Sequence, residues 1–273
     1  MATALNIVYG YTGYLPFGFV AFYGIGSYVT AMLWSRVHLP ITLAILLSGI
    51  AGILAAFLLS PTLRLKGIYF AIANFAFASA LQIIISVSPE EITGGSFGIM
   101  LAAAYNPLSS YYAMLTVMLI AICFVWWLSN SRLGLALRCI KEDDVAASVM
   151  GVDIVRCRLC AWLSAAFFAS LVGGIDAWNT AVVDPATSFS TLITAKAIVY
   201  AMFGGLGTVS GPIIGSFVLH TLDDIIWSSF PMANLLLLGL MIFLLILFLP
   251  KGVVGTITDL LRRSALAAAK KGG

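Results

Sequence analysis

The chain has 273 residues, 62% of them hydrophobic and 9% charged, with a formal net charge of +3 and a mean hydropathy of +1.07. A water-soluble domain is nearer half apolar and a quarter charged, so an ordinary soluble globule is excluded and an all-α polytopic membrane helix bundle is expected. The apolar runs are continuous rather than alternating, which argues against a β-barrel, and the basic residues flank those runs instead of forming a nucleic-acid patch.

In chain order, the start "MATALNIVYGYTG" has no basic region ahead of its apolar run, unlike a cleavable secretory signal. Residues 10–29, "GYTGYLPFGFVAFYGIGSYV", mix glycine, proline and aromatics and predict a broken helix. Apolar runs, charge-free but for Asp176 in the fifth, predict spans at about 17–34, 41–60, 67–86, 111–129, 159–179 and 233–249, each with roughly the 20 residues that cross a ~30 Å core. In the third span Asn74, Ala78, Gln82 and Ser86 recur every four residues and share one face. That face suits either the lining of a pathway or hydrogen bonding between helices.

Residues 130–158 form a long, charged, helix-prone loop between the fourth and fifth spans. Glu142, Asp143 and Asp144 are expected to open a helix through Ala146, Ala147 and Val149, because acidic groups suit a helix N-terminus. Gly151 is its expected stop. A short helix with small residues on one side suits a groove on another protein; the plainer alternative is a solvated surface helix. Cys157 and Cys160 form a lone CxxC, with Cys123 and Cys139 apart and His38 and His220 distant. These read as reduced thiols near the inner face, and no metal site is expected. Asp176, Trp178 and Asn179 read as an anchor at the end of the fifth span.

The run 193–228 is interrupted by "FGGLGTVSGPIIGS". Orientation decides what the interruption means. Arg64 and Lys66; Arg132, Arg138, Lys141, Arg156 and Arg158; and Lys251, Arg262, Arg263, Lys270 and Lys271 fall in loops that the positive-inside rule makes cytoplasmic, leaving only Arg36 and Lys196 outside. The run 193–228 then starts and finishes outside, so the glycine break is expected at depth as a re-entrant turn. Such backbone is tolerated only when packed in protein or lining a water-filled cavity. A transport path bordered by the break is the expectation; close helix packing through Gly204, Gly205, Gly207 and Gly211 is the alternative. With the break at 10–29, it forms a pair of interrupted segments, one in each half, as transporter sites near the membrane midplane have.

No GxxxxGK[ST] or HExxH motif is present, so this chain is not expected to be an enzyme. "ALRCIKEDDVAASVMGVDI" resembles the coupling segment of permeases in ATP-binding-cassette (ABC) importers: Ala146, Ala147 and Gly151 keep its Ala-Ala-x-x-x-Gly spacing, with Val145 where glutamate often stands. "NIVYGYTGYLPFG", "AFYGIGSY", "GIYFAIANFAFA", "ITGGSFGI", "DPATSFS", "FGGLGTVSGPIIGS" and "LPKGVVGTI" resemble, in order, motifs of the branched-chain amino acid (LIV-type) permeases.

That resemblance implies a permease subunit of a bacterial inner-membrane importer. Its implied partners are a second, similar permease, two ABC ATPases carrying ATP and Mg, and a periplasmic binding protein. Residues 1–258 would form one transmembrane domain and 259–273 a cytoplasmic tail; the family usually has a further apolar segment before the Asn6 region. Expected pathway residues are Gly13, Pro16, Gly18, Phe19, Asn74, Gln82, Lys196, Gly204, Gly205 and Gly207. Expected coupling residues are Arg138, Glu142, Asp143, Ala146, Ala147 and Gly151. Tyr14, Pro16 and Phe19 stand where the family often has Gln, Ser and His, and Lys196 where an acidic residue is common, which raises an anionic or aromatic cargo beside a branched-chain one. The rival expectation is an ion-coupled secondary transporter, which wants an acidic residue at depth.

Overall fold

The apolar runs are helices in the computed structural model, which describes residues 1–65, 67–229 and the single position 239. In order they are α1 (Ala2–Thr12), α2 (Val20–Val37), α3 (Ile41–Leu58), α4 (Ile68–Val87), α5 (Glu90–Thr93), strand β1 (Ile99–Met100), α6 (Pro107–Asn130), α7 (Arg132–Glu142), α8 (Asp144–Val149), α9 (Ile154–Thr180), strand β2 (Val182–Val183), α10 (Pro185–Ser188), α11 (Thr191–Gly204) and α12 (Gly211–Ser229). The expected span 233–249, the tail 259–273, and Lys66, Lys251, Arg262, Arg263, Lys270 and Lys271 lie outside the described residues. Two compact units result, one over Thr3–Ala195 and one from Lys196 on.

Ile41–Leu58, Ile68–Val87, Pro107–Asn130, Ile154–Thr180 and the run Pro185–Gly204 are long and apolar enough to cross a membrane by length and composition. The expected span at 17–34 differs. Its helix, α2, is rich in glycine, tyrosine and serine and is buried along most of its length.

In the first unit α9 is the hub: 61% of its most apolar window is buried, against 17% for α4 and α6. Lipid offers no hydrophobic drive between helices, so association depends on close packing and hydrogen bonds. Both are present. Side chains at Gly26 or Gly173 would run into the backbone of Ser170 or Tyr23, so α2 and α9 touch closely. Ser170 Oγ donates to Phe22 O (2.8 Å), Ser27 Oγ to Gly173 O (3.0 Å) and Ser48 Oγ to Ser170 O (3.3 Å), which adds α3. Trp162, fully buried, donates its Nε1 proton to Ala56 O at 3.1 Å and packs edge-on to Phe22 and Phe70.

At the far end of α9, β1 and β2 pair antiparallel, Ile99 opposite Val183 and Met100 opposite Val182. The pairing brings "ITGGSFGI" against "DPATSFS". Trp178 donates to Ala104 O (2.6 Å) and Asn179 accepts from Ser110 Oγ (3.0 Å), tying the end of α9 to the start of α6. Asp176 differs in its partner: it lies on the face opposite Trp178, two residues on, and meets Tyr23 of α2.

In the second unit α11 and α12 form a hairpin. Side chains at Gly204, Gly211 or Gly215 would strike backbone atoms of Gly211, Gly205 or Tyr200, so the two arms are in direct backbone contact. The turn is closed by its own threonine: Thr208 Oγ1 donates to Gly205 O (2.8 Å) and accepts from Gly211 N (3.0 Å). Gly205, at φ 117°, adopts a conformation that side-chain-bearing residues avoid.

Candidate functional site

The charged loop folds into an elbow. Ser131 caps α7 by accepting from Gly134 N (3.1 Å), and Asp143 caps α8 by accepting from Val145 N (2.7 Å) and Ala146 N (3.2 Å). Glu142 therefore ends α7 and does not open α8, a correction to the expected single acidic start. The carboxylate of Asp143 competes for backbone donors and forces a non-helical residue between the two helices. Gly151, at φ 81°, stops α8 as expected, and its missing side chain points into open space.

The exposed surface of α8 is apolar apart from Ser148. Val149 is 82% exposed and Met150 83%, with Val145 and Ala146 also outward. Ala147 departs from its expected place on the presented face: it is 4% exposed and packs inside its own chain.

The elbow grips the first break in the chain. Lys141 Nζ donates to Gly10 O at 2.9 Å, placing a cation on the carbonyl end of α1. Arg138 donates to Ser129 Oγ (2.6 Å) and lies 5.5 Å from the Tyr11 ring. Arg158, only 8% exposed, forms an ion pair with Asp144 of α8 and stacks 4.2 Å from the Tyr14 ring centroid. Burial holds the Tyr14 phenol above its ordinary pKa, with Asp144 adding to the shift and Arg158 opposing it.

Between the break and the elbow is a cavity of about 820 Å³, walled by Gly13, Phe17, Ile68, Phe75, Lys141 and Asp143 among others. Gly13 and Asp143, expected in separate roles, thus face one space. This places the first break against the charged elbow. The reason is local: α1 is only 11 residues long, and its end is held by Lys141.

The other expected pathway residues are dispersed. Pro16, Gly18 and Phe19 are buried in the turn into α2, with Gly18 pressed on the Asn74 backbone. Asn74 is buried and donates to Phe70 O of its own helix (2.8 Å), so its amide is occupied; Gln82 is half-buried on the same face. Gly204 packs on Gly211, Gly205 and Gly207 shape the hairpin turn, and none of these lines the cavity just described. Lys196 Nζ meets Asp223 Oδ2 at 2.6 Å across the hairpin. Its charge is answered within its own unit, which removes the free cation that an anionic cargo would need. Sequence spacing marked Tyr14 only as a departure from the family and Arg158 only as a basic flank, and did not show that the two meet.

Comparison with known proteins gives one family. The family model described as "Branched-chain amino acid transport system / permease component" matches residues 1–247. The high-affinity branched-chain amino acid permease protein LivM of Salmonella typhimurium is 26% identical over 93% of this chain and 67% of its own length. LivH of Escherichia coli K12 is 25% identical over 93% of this chain and 90% of its own. The probable permease LivH of Methanocaldococcus jannaschii is 28% identical over 42% of this chain and 36% of its own. No solved structure matches significantly.

Proposed function

The chain belongs to the permease components of branched-chain amino acid transport systems, and on that premise we propose that it carries branched-chain or closely related neutral amino acids inward across a bacterial inner membrane by alternating access. It is a transport subunit, and ATP hydrolysis belongs to other subunits. The proposed assembly has a second permease of the same family, two ABC ATPases holding ATP and Mg, and a periplasmic binding protein. Relatives under two permease names, LivM and LivH, match the same chain, which supports a paired arrangement of like subunits. The Lys196–Asp223 pair supports a neutral cargo over an anionic one.

The observation that carries this reading is α8. It presents Val149 and Met150 to the outside while Asp144, at its base, is fastened to Arg158, which stacks on Tyr14. An apolar helix face of this kind suits a groove on a partner. ATPase closure would press on α8, and the Asp144–Arg158 pair would pass that motion to α9 and to the first break.

Co-purification tests the reading. A tagged chain brings down ATPase subunits, and Gly151→Arg abolishes this while the chain stays inserted. The Gly151 position faces open space, so the arginine side chain meets a partner and not this chain, and the Gly151→Ala variant, which carries the same left-handed backbone strain without the bulk, is the control that retains the ATPases. Retained ATPase in Gly151→Arg contradicts the coupling role of α8.

A further inference from the structure

A second cavity, of about 690 Å³, lies at the opposite end of α9 from Arg158. Its wall includes Tyr23 and Ser27 of α2, Asp176 and Thr180 of α9, and Ser190 and Ile193 beyond them. The volume is within the range of small-molecule sites, roughly 300–1,000 Å³. Asp184 also borders it, but its oxygens are committed to Thr187, accepting from the backbone N at 2.9 Å and from Oγ1 at 2.5 Å. Asp176 is different. Its carboxylate receives one hydrogen bond, from the Tyr23 hydroxyl, and no lysine or arginine among the described residues pairs with it. An ionisable group within a span normally faces water or protein and finds a partner of opposite charge. Here the chain supplies a polar orienting hydroxyl and a cavity, and leaves the opposite charge to come from elsewhere.

We propose that this cavity binds a zwitterionic amino acid, with Asp176 receiving its ammonium group. Tyr23 fixes the carboxylate by donating to one oxygen, leaving the other for the ligand. Ser190 offers a hydroxyl to the ligand's polar end, the Thr180 hydroxyl being given to Asp176 O (2.9 Å) and Val182 O (3.1 Å), and Ile193 with Ala177 offers an apolar wall to its side chain. The pairing of β1 with β2 and the capping of α10 by Asp184 hold the segment 182–190 over the cavity. The inference rests on the transport reading above, to which it adds the ligand group recognised and the residue that recognises it.

The test uses the assembled transporter, purified in detergent with its ATPases and without binding protein. Binding of tritiated L-leucine and of 4-methylpentanoate, its analogue without the amino group, is measured directly. Asp176→Asn is expected to weaken leucine binding about ten- to a hundredfold, the worth of one hydrogen bond to a charged group, and not to weaken the anionic analogue, which the Asp176 carboxylate repels. Asp176→Glu is expected to restore most of the leucine affinity, and Tyr23→Phe to lose an intermediate amount. If the variants do not assemble, the wild-type complex serves: leucine should slow modification of Asp176 by dicyclohexylcarbodiimide, read by mass spectrometry. Leucine affinity unchanged in Asp176→Asn, or labelling unaffected by leucine, overturns the site. Either result with the ATPases still bound leaves the transport reading standing, whereas loss of the ATPases from the wild-type preparation is the failure of that reading.

Discussion

Arg158, near the start of α9, reaches back to Asp144 at the start of α8 and closes an ion pair over the Tyr14 ring. Three separate stretches of chain meet there: the elbow, the hub helix and the first break. Arg158→Ala removes a nearly buried guanidinium from both the Asp144 carboxylate and the Tyr14 ring, at a cost of about 3 kcal/mol. Arg158→Lys keeps the charge and loses the planar stacking, at about 1 kcal/mol. Thermal melts of the purified complex should rank wild type above Lys and Lys above Ala. Equal melting temperatures contradict a structural role for the pair.

The Lys196–Asp223 pair makes a different prediction. Lys196→Glu sets two carboxylates against each other across the hairpin, with Asp223 almost fully buried. Uptake should fall for every cargo alike, and Lys196→Met combined with Asp223→Leu should recover it, because a well-packed apolar pair can replace a buried ionic one. Selective loss of anionic cargo in Lys196→Glu, with neutral uptake spared, contradicts this and returns Lys196 to a selecting role.

Gly204 and Gly151 differ in what a methyl group would meet. At Gly204 it strikes the Gly211 backbone, which cannot move aside; at Gly151 it meets nothing within 4 Å. Gly204→Ala is expected to destabilise by about 1–3 kcal/mol, as overpacking does. Gly151→Ala should cost about 1 kcal/mol for its left-handed backbone alone. Thermal melts of the two variants in the same detergent check the order, and the reverse order contradicts the packed hairpin.

Orientation is testable through Cys139, exposed on α7. In a variant keeping only this cysteine, a membrane-impermeant maleimide should label inverted vesicles and leave intact spheroplasts unlabelled. Labelling from the periplasmic side contradicts a cytoplasmic elbow.

Much of this architecture was legible in the sequence because hydropathy and charge report directly on spans and their flanks. The helices at 41–58, 68–87, 107–130 and 154–180 sit where the apolar runs predicted them. The turn between α11 and α12 follows the glycine run, and a hairpin with both open ends on one side could have predicted the Lys196–Asp223 pair. Each of these residues lies roughly two to three helical turns from the tip, on opposite arms. What composition could not report was which polar groups meet across long separations. Tyr23 and Asp176 are 153 positions apart, and nothing in their local patterns marks the pairing. Glu142 was misplaced for the opposite reason: three consecutive acids all suit a helix start, and only the hydrogen bonds of Asp143 decide which one is the cap.

The claim on which the account stands is that force applied to α8 reaches α9 and the first break through Asp144 and Arg158. In proteoliposomes with loaded binding protein, the number of leucine molecules moved per ATP hydrolysed measures this directly. For Asp144→Asn the account predicts hydrolysis near the wild-type rate with that ratio lowered about tenfold. An unchanged ratio, with the variant fully assembled, contradicts it.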